Sequence, residues 1–222
     1  MSRYKYILFD LDGTITEPFK GISGGIIYAL EKYGIKPLDE ATLRKFIGPP
    51  LRDSFRDYCG FSDEQAEEAT AYYREYYSVK GLEENDIMPG MDKAIETLYS
   101  RGYKLYLATS KPEKFARIIL ENLGLLKYFD IAAGASFDGS RDKKELVMEY
   151  LLEQIRERYS DFSIDQTIMV GDRHFDINGA KYFGMDSVGV TFGYGDYQEL
   201  SQAGATYVVD DAEGLVEAIE NS

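Results

Sequence analysis

Residues 6–14 read Tyr-Ile-Leu-Phe-Asp-Leu-Asp-Gly-Thr, and no other stretch limits the fold as much. Four apolar or aromatic residues in a row, followed by acid and then glycine, do not alternate as a half-exposed strand does. They mark a short strand buried on both faces, whose C-terminal tip runs out into a loop. Strands of that kind belong to parallel sheets covered by helices. Two carboxylates, Asp10 and Asp12, stand at the mouth of this strand, where open α/β sheets hold their ligands. The alternative reading of the same two acids is an Asx-type turn after the strand. The rest of the chain has to decide between the two.

Further strands are expected at 103–108, running into Thr109-Ser110-Lys111-Pro112, and at 129–133. Another spans 167–170 and runs into Gly171-Asp172, and two more lie at 187–190 and 206–209. Helical patterns separate them: 91–100, 112–122 with proline in the first turn, 143–159, and one after Asp172 that reaches Phe183. A last helix closes the chain. Residues 17–84 behave differently, reading as helical throughout with no strand candidate. Ile22, Ile26, Ile27 and Leu30 share one side of a helix ending at Gly34, and Gly48-Pro49-Pro50 breaks the pattern. Ser62 and Gln65 have the spacing of a capping box that opens a helix through Tyr77. The expected architecture is therefore α/β: a Rossmann-like parallel sheet core from residues 1–16 and 85–222, with a small helical domain, 17–84, inserted after the first strand.

A chain of 222 residues is long enough to bury a sizeable core without a disulfide or metal staple. The single cysteine, Cys59, allows no internal bridge, which suits a reducing compartment. No basic-then-apolar leader is visible, and no apolar run nears the ~18 residues that span a bilayer, so a cytoplasmic setting is expected. The formal charge of −14 argues against a nucleic-acid or anionic-membrane partner. It does not forbid an anionic substrate, since a local cation overrides the global field.

Taken together, Asp10-Leu11-Asp12-Gly13-Thr14, the strand-end Thr109, Lys143-Lys144-Glu145-Leu146-Val147 and Gly171-Asp172-Arg173-His174-Phe175-Asp176 resemble the four motifs of the haloacid dehalogenase-like phosphohydrolases, in order and each at the tip of an expected strand or the start of a helix. The resemblance spans the whole chain, with 17–84 in the place of the family's helical cap. It implies that Asp10 is the nucleophile and takes the phosphoryl group as an aspartyl-phosphate. Asp12 would protonate the leaving oxygen and later deprotonate water; an acid there favours phosphoryl transfer over carbon–halogen cleavage. Thr109, with Ser110 and Gly13 beside it, would hold phosphate oxygens. A lysine would neutralise nucleophile and phosphate, and the Lys-x-Glu pattern favours Lys143 over Lys144. Mg²⁺ is the implied cofactor, held by Asp10, the Asp12 carbonyl and Asp172, with Asp176 in support. Hard oxygen donors and the lack of a Cys/His cluster suit that ion.

In such caps a turn like Gly48-Pro49-Pro50 faces the active site, making Gly48 and the nearby Arg44 candidate substrate contacts. The expected activity is hydrolysis of a small phosphomonoester by a monomer or weak homodimer. The layout resembles phosphoglycolate phosphatases, whereas Thr16-Glu17-Pro18 and Phe46-Ile47-Gly48-Pro49-Pro50 look closer to 5′-nucleotidase-like members. A mutase of the β-phosphoglucomutase type shares the four motifs, but no cap signature supports it. A silent phosphate-binding regulatory module predicts the loss of one of Asp10, Asp12 or Asp172, and all are present. The lone His174 falls at a variable position of the last motif, and Tyr72, Tyr73, Tyr76 and Tyr77 read as helix packing.

Overall fold

A computed structural model describes residues 2–222. The opening apolar run forms β1 (Tyr6–Phe9), every residue of which is buried. Two short segments, β2 (Thr16–Glu17) and β3 (Asp86–Ile87), pair with each other where the chain leaves and re-enters the sheet-bearing unit. The remaining strands are β4 (Lys104–Pro112), β5 (Phe129–Ala135), β6 (Thr167–Gly171), β7 (Asp186–Val190) and β8 (Tyr207–Val209). With β1 they make a six-stranded sheet in the order β5-β4-β1-β6-β7-β8. All its pairings are parallel. The chain order reverses around β1, which has β4 on one side and β6 on the other. The C-terminal tips of these three strands therefore stand side by side, carrying Thr109, Asp10 and Asp172.

Parallel strands need crossover connections, and helices supply them. The sheet-bearing unit contains α5 (Met91–Ser100), α6 (Glu113–Asn122), α7 (Lys144–Arg158), α8 (His174–Tyr182), α9 (Tyr197–Ala203) and α10 (Ala212–Glu220). The first four helices of the chain, described below, lie in the inserted segment. On one face of the sheet Tyr6, Leu8, Tyr106 and Met169 pack with Val147, Met148, Leu151, Leu152 and Ile155 of α7 into a continuous apolar cluster. Two expected boundaries move. The strand expected at 103–108 continues to Pro112, with a register shift against β5 between Thr109 and Pro112. Pro112 is consequently the N-cap residue of α6 and not a member of its first turn.

The chain divides into two compact units, one from Glu17 to Asp86 and one from the residues on either side of it. The expected second boundary, at 84/85, lies two residues earlier. Within the helical unit are α1 (Phe19–Lys32), α2 (Glu40–Arg44), α3 (Leu51–Cys59) and α4 (Asp63–Tyr76). Asp39 caps α2 and the Ser62/Gln65 capping box opens α4. The end of α4 departs from expectation, widening into a π-helical turn, Tyr77–Gly81. Close approach of helices explains two glycines of α1: a Cβ on Gly25 would lie 2.6 Å from the Tyr73 ring, and one on Gly21 would lie 2.7 Å from the Gly81 carbonyl oxygen. Tyr73 and Tyr77 are buried and stacked, with centroids 5.2 Å apart, as packing residues. Among the described residues no helix is long and apolar enough to cross a membrane.

Leu8 sits at the centre of the sheet with no exposed surface. Leu8→Ala is expected to cost about 2–5 kcal/mol in urea unfolding, the usual range for a buried leucine. Leu146→Ala, at an exposed position of α7, is expected to stay within about 0.5 kcal/mol.

Candidate active site

Asp10 directly follows β1, and its backbone N–H still donates to the Val170 carbonyl of β6 at 2.9 Å. That bond fixes the side chain between the two strand tips. Asp172 follows β6, and Asp176 lies in the first turn of α8. All three carboxyls are buried, and each offers an oxygen within 4.8 Å of the others. Three anions so close in a dry place repel one another, so something positive must hold them.

Part of that charge is Lys144. Its Nζ lies 2.8 Å from Asp10 Oδ1 and 2.7 Å from Asp176 Oδ1, and donates to the Ala108 carbonyl of β4 at 2.9 Å. The sequence expectation favoured Lys143, and the structure corrects it: Lys143 is the exposed N-cap residue of α7. The reason is periodic. The buried face of α7 is set by Val147, Met148, Leu151 and Ile155, and Lys144 lies on that face at spacings of 3, 4, 7 and 11 residues. Lys143 is off it. Burial opposes the Lys144 charge, but Asp10 and Asp176 outweigh it and raise the amine's pKa above its ordinary value.

Asp12 has a different partner. Lys111 Nζ, from the tip of β4, lies 2.7 Å and 2.5 Å from its two carboxylate oxygens. The Lys111 side chain is only 4% exposed and that of Asp12 14%. Burial pushes the Asp12 carboxyl up and the Lys111 ammonium works against it. Thr109 is buried at the same strand tip, where its Oγ1 accepts a 3.3 Å bond from the Lys111 N–H. Ser110 is half-buried next to it.

The third part of the site is a close-fitting loop. Gly13 has φ +85°, open to glycine at little cost. A Cβ there would fall 2.1 Å from Asp172 Oδ2. Cβ atoms on Gly193 and Gly195 would fall 2.4 Å from Asp172 Cβ and 2.1 Å from its carbonyl oxygen. Between them the Tyr194 N–H donates to Asp172 Oδ2 at 2.8 Å, and the Thr14 hydroxyl lies 3.3 Å from Oδ1. Burial, and then the charges of Asp176 and Asp10, push the Asp172 carboxyl well above its usual range. Asp176 is also raised, chiefly by burial, with Lys144 opposing.

A divalent cation fits this arrangement. The oxygens Asp10 Oδ1 and Asp176 Oδ1 are buried with the Lys144 ammonium as their partner, at 2.8 and 2.7 Å, and one ammonium does not neutralise two carboxylates. When every group is ionised, four carboxylates face two ammoniums, and the surplus of two negative charges is what one divalent ion cancels. The donors are hard oxygens, which suit such an ion. His174 stands outside this cluster: its Nδ1 lies 2.6 Å from Glu199 Oε1, which also accepts from the His174 N–H and from Arg173 Nε. This contact fastens α9 to the loop after β6. In the helical unit, Arg44 is held by Glu40 at 2.8 Å and lies over the Phe19 ring, 4.4 Å from its centroid. Gly48 has φ +107° ahead of Pro49 and Pro50.

Sequence reasoning missed Lys111, the Thr14 hydroxyl and the Gly193-Tyr194-Gly195 loop. The signal for Lys111 was present: a cation in the tip of a strand that already offered Thr109.

Comparison with known proteins agrees with this geometry. The model of the haloacid dehalogenase-like hydrolases matches residues 7–190. A 5′-nucleotidase of Pseudomonas aeruginosa is 38% identical over 219 residues, covering 99% of this chain and 97% of that protein. The tyrosine-protein kinase PtkA of Mycobacterium tuberculosis is 38% identical over 207 residues, 93% of this chain and 68% of that protein. A phosphoglycolate phosphatase of Vibrio parahaemolyticus is 27% identical over 97% of this chain and 96% of its own. The crystal structure of a predicted phosphatase from Clostridium acetobutylicum superposes with a TM-score of 0.93 at 41% identity, covering 99% of both chains. The chain belongs to the haloacid dehalogenase-like hydrolases.

The raised carboxyls give a signed expectation. In the folded, metal-free protein Asp172 and Asp176 keep protons that the unfolded chain releases near its ordinary carboxyl pKa of 3.8. Their contribution is therefore most favourable at low pH and is lost as pH rises through their folded values. A bound divalent cation removes the penalty and competes with the protons. Its stabilisation, read as a rise in melting temperature, should be larger at pH 7.5 than at pH 5. Asp172→Asn should raise the metal-free melting temperature by about 2–4 °C, the effect of about 1 kcal/mol in a chain of this size, and blunt the response to the cation.

Proposed function

We propose that this protein is a Mg²⁺-dependent phosphatase that hydrolyses a small phosphomonoester through an aspartyl-phosphate on Asp10. The observation that carries the reading is the buried grouping of Asp10, Asp172 and Asp176 with Lys144 at adjacent strand tips. A carboxylate attacks a phosphate ester only where the charge of both is compensated. Lys144 supplies one such charge. Asp10, the Asp12 carbonyl and Asp172 would hold Mg²⁺, with Asp176 in support; when bound, the ion neutralises phosphate oxygens and helps to orient the ester.

The residues then divide the work. Asp10 attacks phosphorus, and the ester oxygen leaves with a proton from Asp12. Asp12 next takes a proton from the water that attacks the aspartyl-phosphate, which returns Asp10 and releases inorganic phosphate. The Thr109 hydroxyl, Ser110 and the backbone at Gly13 hold the phosphate oxygens. By resemblance to the family, Arg44 and Gly48 are the helical unit's candidates for contact with the rest of the substrate. The 38% identity to a protein named as a 5′-nucleotidase, against 27% to one named as a phosphoglycolate phosphatase, favours a nucleoside 5′-monophosphate.

A substrate panel of nucleoside monophosphates, phosphoglycolate and sugar phosphates, with Mg²⁺ and with chelator, tests the reading. Phosphate release that needs Mg²⁺ and is abolished by Asp10→Asn is expected; activity surviving Asp10→Asn would exclude the mechanism. Lys144→Ala should lower kcat/KM by about 10²–10³-fold, and Lys143→Ala by less than about threefold. A second reading, phosphoryl transfer to a protein tyrosine, is favoured by the kinase-named relative at 38% identity. Labelled ATP and an immunoblot for phosphotyrosine separate it from hydrolysis.

A further inference from the structure

We infer that Lys111 is a positioning residue for the acid–base step: its ammonium holds the Asp12 carboxyl group in the orientation from which it gives its proton to the leaving oxygen and, as the carboxylate, later takes one from water. The inference rests on the phosphatase reading above, and it concerns a residue outside the four motifs that the resemblance carries over.

The geometry is specific. The ammonium lies within 2.7 Å of one Asp12 oxygen and 2.5 Å of the other. The terminal torsion of an aspartate is broad and about two-fold when nothing restrains it. A cation against both oxygens narrows it to one setting. The pair is also buried, with side chains 4% and 14% exposed, so water does not replace the contact readily. Removing a lysine from solvent is costly unless its charge is matched, and Asp12 provides a match.

Both ends of the pair are anchored. On the Asp12 side, the N–H groups of Ile15 and Thr16 donate to the Leu11 carbonyl at 2.8 and 2.9 Å, and Gly13 N–H donates to the Thr16 carbonyl at 2.8 Å. This turn leaves the Asp12 backbone little freedom. On the other side, the Lys111 N–H is tied to Thr109 Oγ1 at 3.3 Å, and Pro112 restricts the backbone of Lys111 just before it. The strand tip that presents the phosphate-binding hydroxyl thus also aims the acid. The two buried amines have separate duties: Lys144 serves the nucleophile and Asp176, and Lys111 serves Asp12.

Such a residue acts on proton transfer and little on phosphorus attack, which leaving-group dependence resolves. An alkyl phosphate leaves as a poor anion and needs the proton; p-nitrophenyl phosphate leaves as a stabilised phenolate and needs it far less. kcat/KM reports steps up to release of the leaving group, so the later hydrolysis of the aspartyl-phosphate does not confuse the comparison. Lys111→Met should lower kcat/KM for the alkyl ester by about 10²-fold, within the range of general acid catalysis. The loss with p-nitrophenyl phosphate should be at least tenfold smaller. In the Asp12→Asn background, Lys111→Met should add almost nothing, since a residue acting through Asp12 has no further effect once that acid is gone. Equal losses on both esters, or losses additive with Asp12→Asn, would overturn the inference while leaving the phosphatase reading intact. If the wild-type protein cleaves neither ester, the phosphatase reading falls and this inference with it. Lys111→Gln, which keeps a donor without the charge, provides the same comparison should the methionine variant not fold.

Discussion

The grip of one amine on three separate pieces of chain governs this structure. Lys144 enters from α7 and meets Asp10 beyond β1, Asp176 on α8 and the Ala108 carbonyl of β4. None of these partners is near it in sequence. Burying the ammonium alone would cost several kcal/mol, and burying the carboxylates alone would cost more. Each charge is tolerable only because the others are present. The apolar packing of α7 against Tyr6, Leu8, Tyr106 and Met169 brings the lysine to its place, so the hydrophobic core determines the electrostatics of the site.

That dependence explains why the site forms at the strand tips. A parallel sheet with β1 between β4 and β6 sets three chain exits next to one another. The loops beyond them need not be stable alone, because the sheet aligns them. A short carboxylate then suffices on the acid side of each pair, as where Asp12 meets Lys111 within 3 Å. Short side chains lose little rotamer entropy, so the carboxylates are inexpensive to hold in register.

The sheet was legible in the sequence because buried parallel strands read as apolar runs, and acids at their ends break the run visibly. Asp10 and Asp172 stand at such ends, whereas Asp176, inside the helix that follows, came only from the resemblance to the family's last motif. The choice between Lys143 and Lys144 was also written in the chain, in the 3.6-residue spacing of Val147, Met148, Leu151 and Ile155, but motif spacing pointed to the neighbour. For Lys111 the sequence offered its place in a strand tip beside Thr109, but not its partner, an acid 99 residues away. The π-helical turn at Tyr77–Gly81 and the approach of Gly193 and Gly195 to Asp172 depend wholly on tertiary contact. Composition and periodicity hold no record of how closely two segments meet.

The glycines around Asp172 restrict how this enzyme can change. Gly13, Gly193 and Gly195 touch that acid so closely that even a methyl group has no room. Substitutions in this loop cannot be graded from mild to severe, as they can on an open surface. Exposed positions such as Leu146 on α7 carry no such limit.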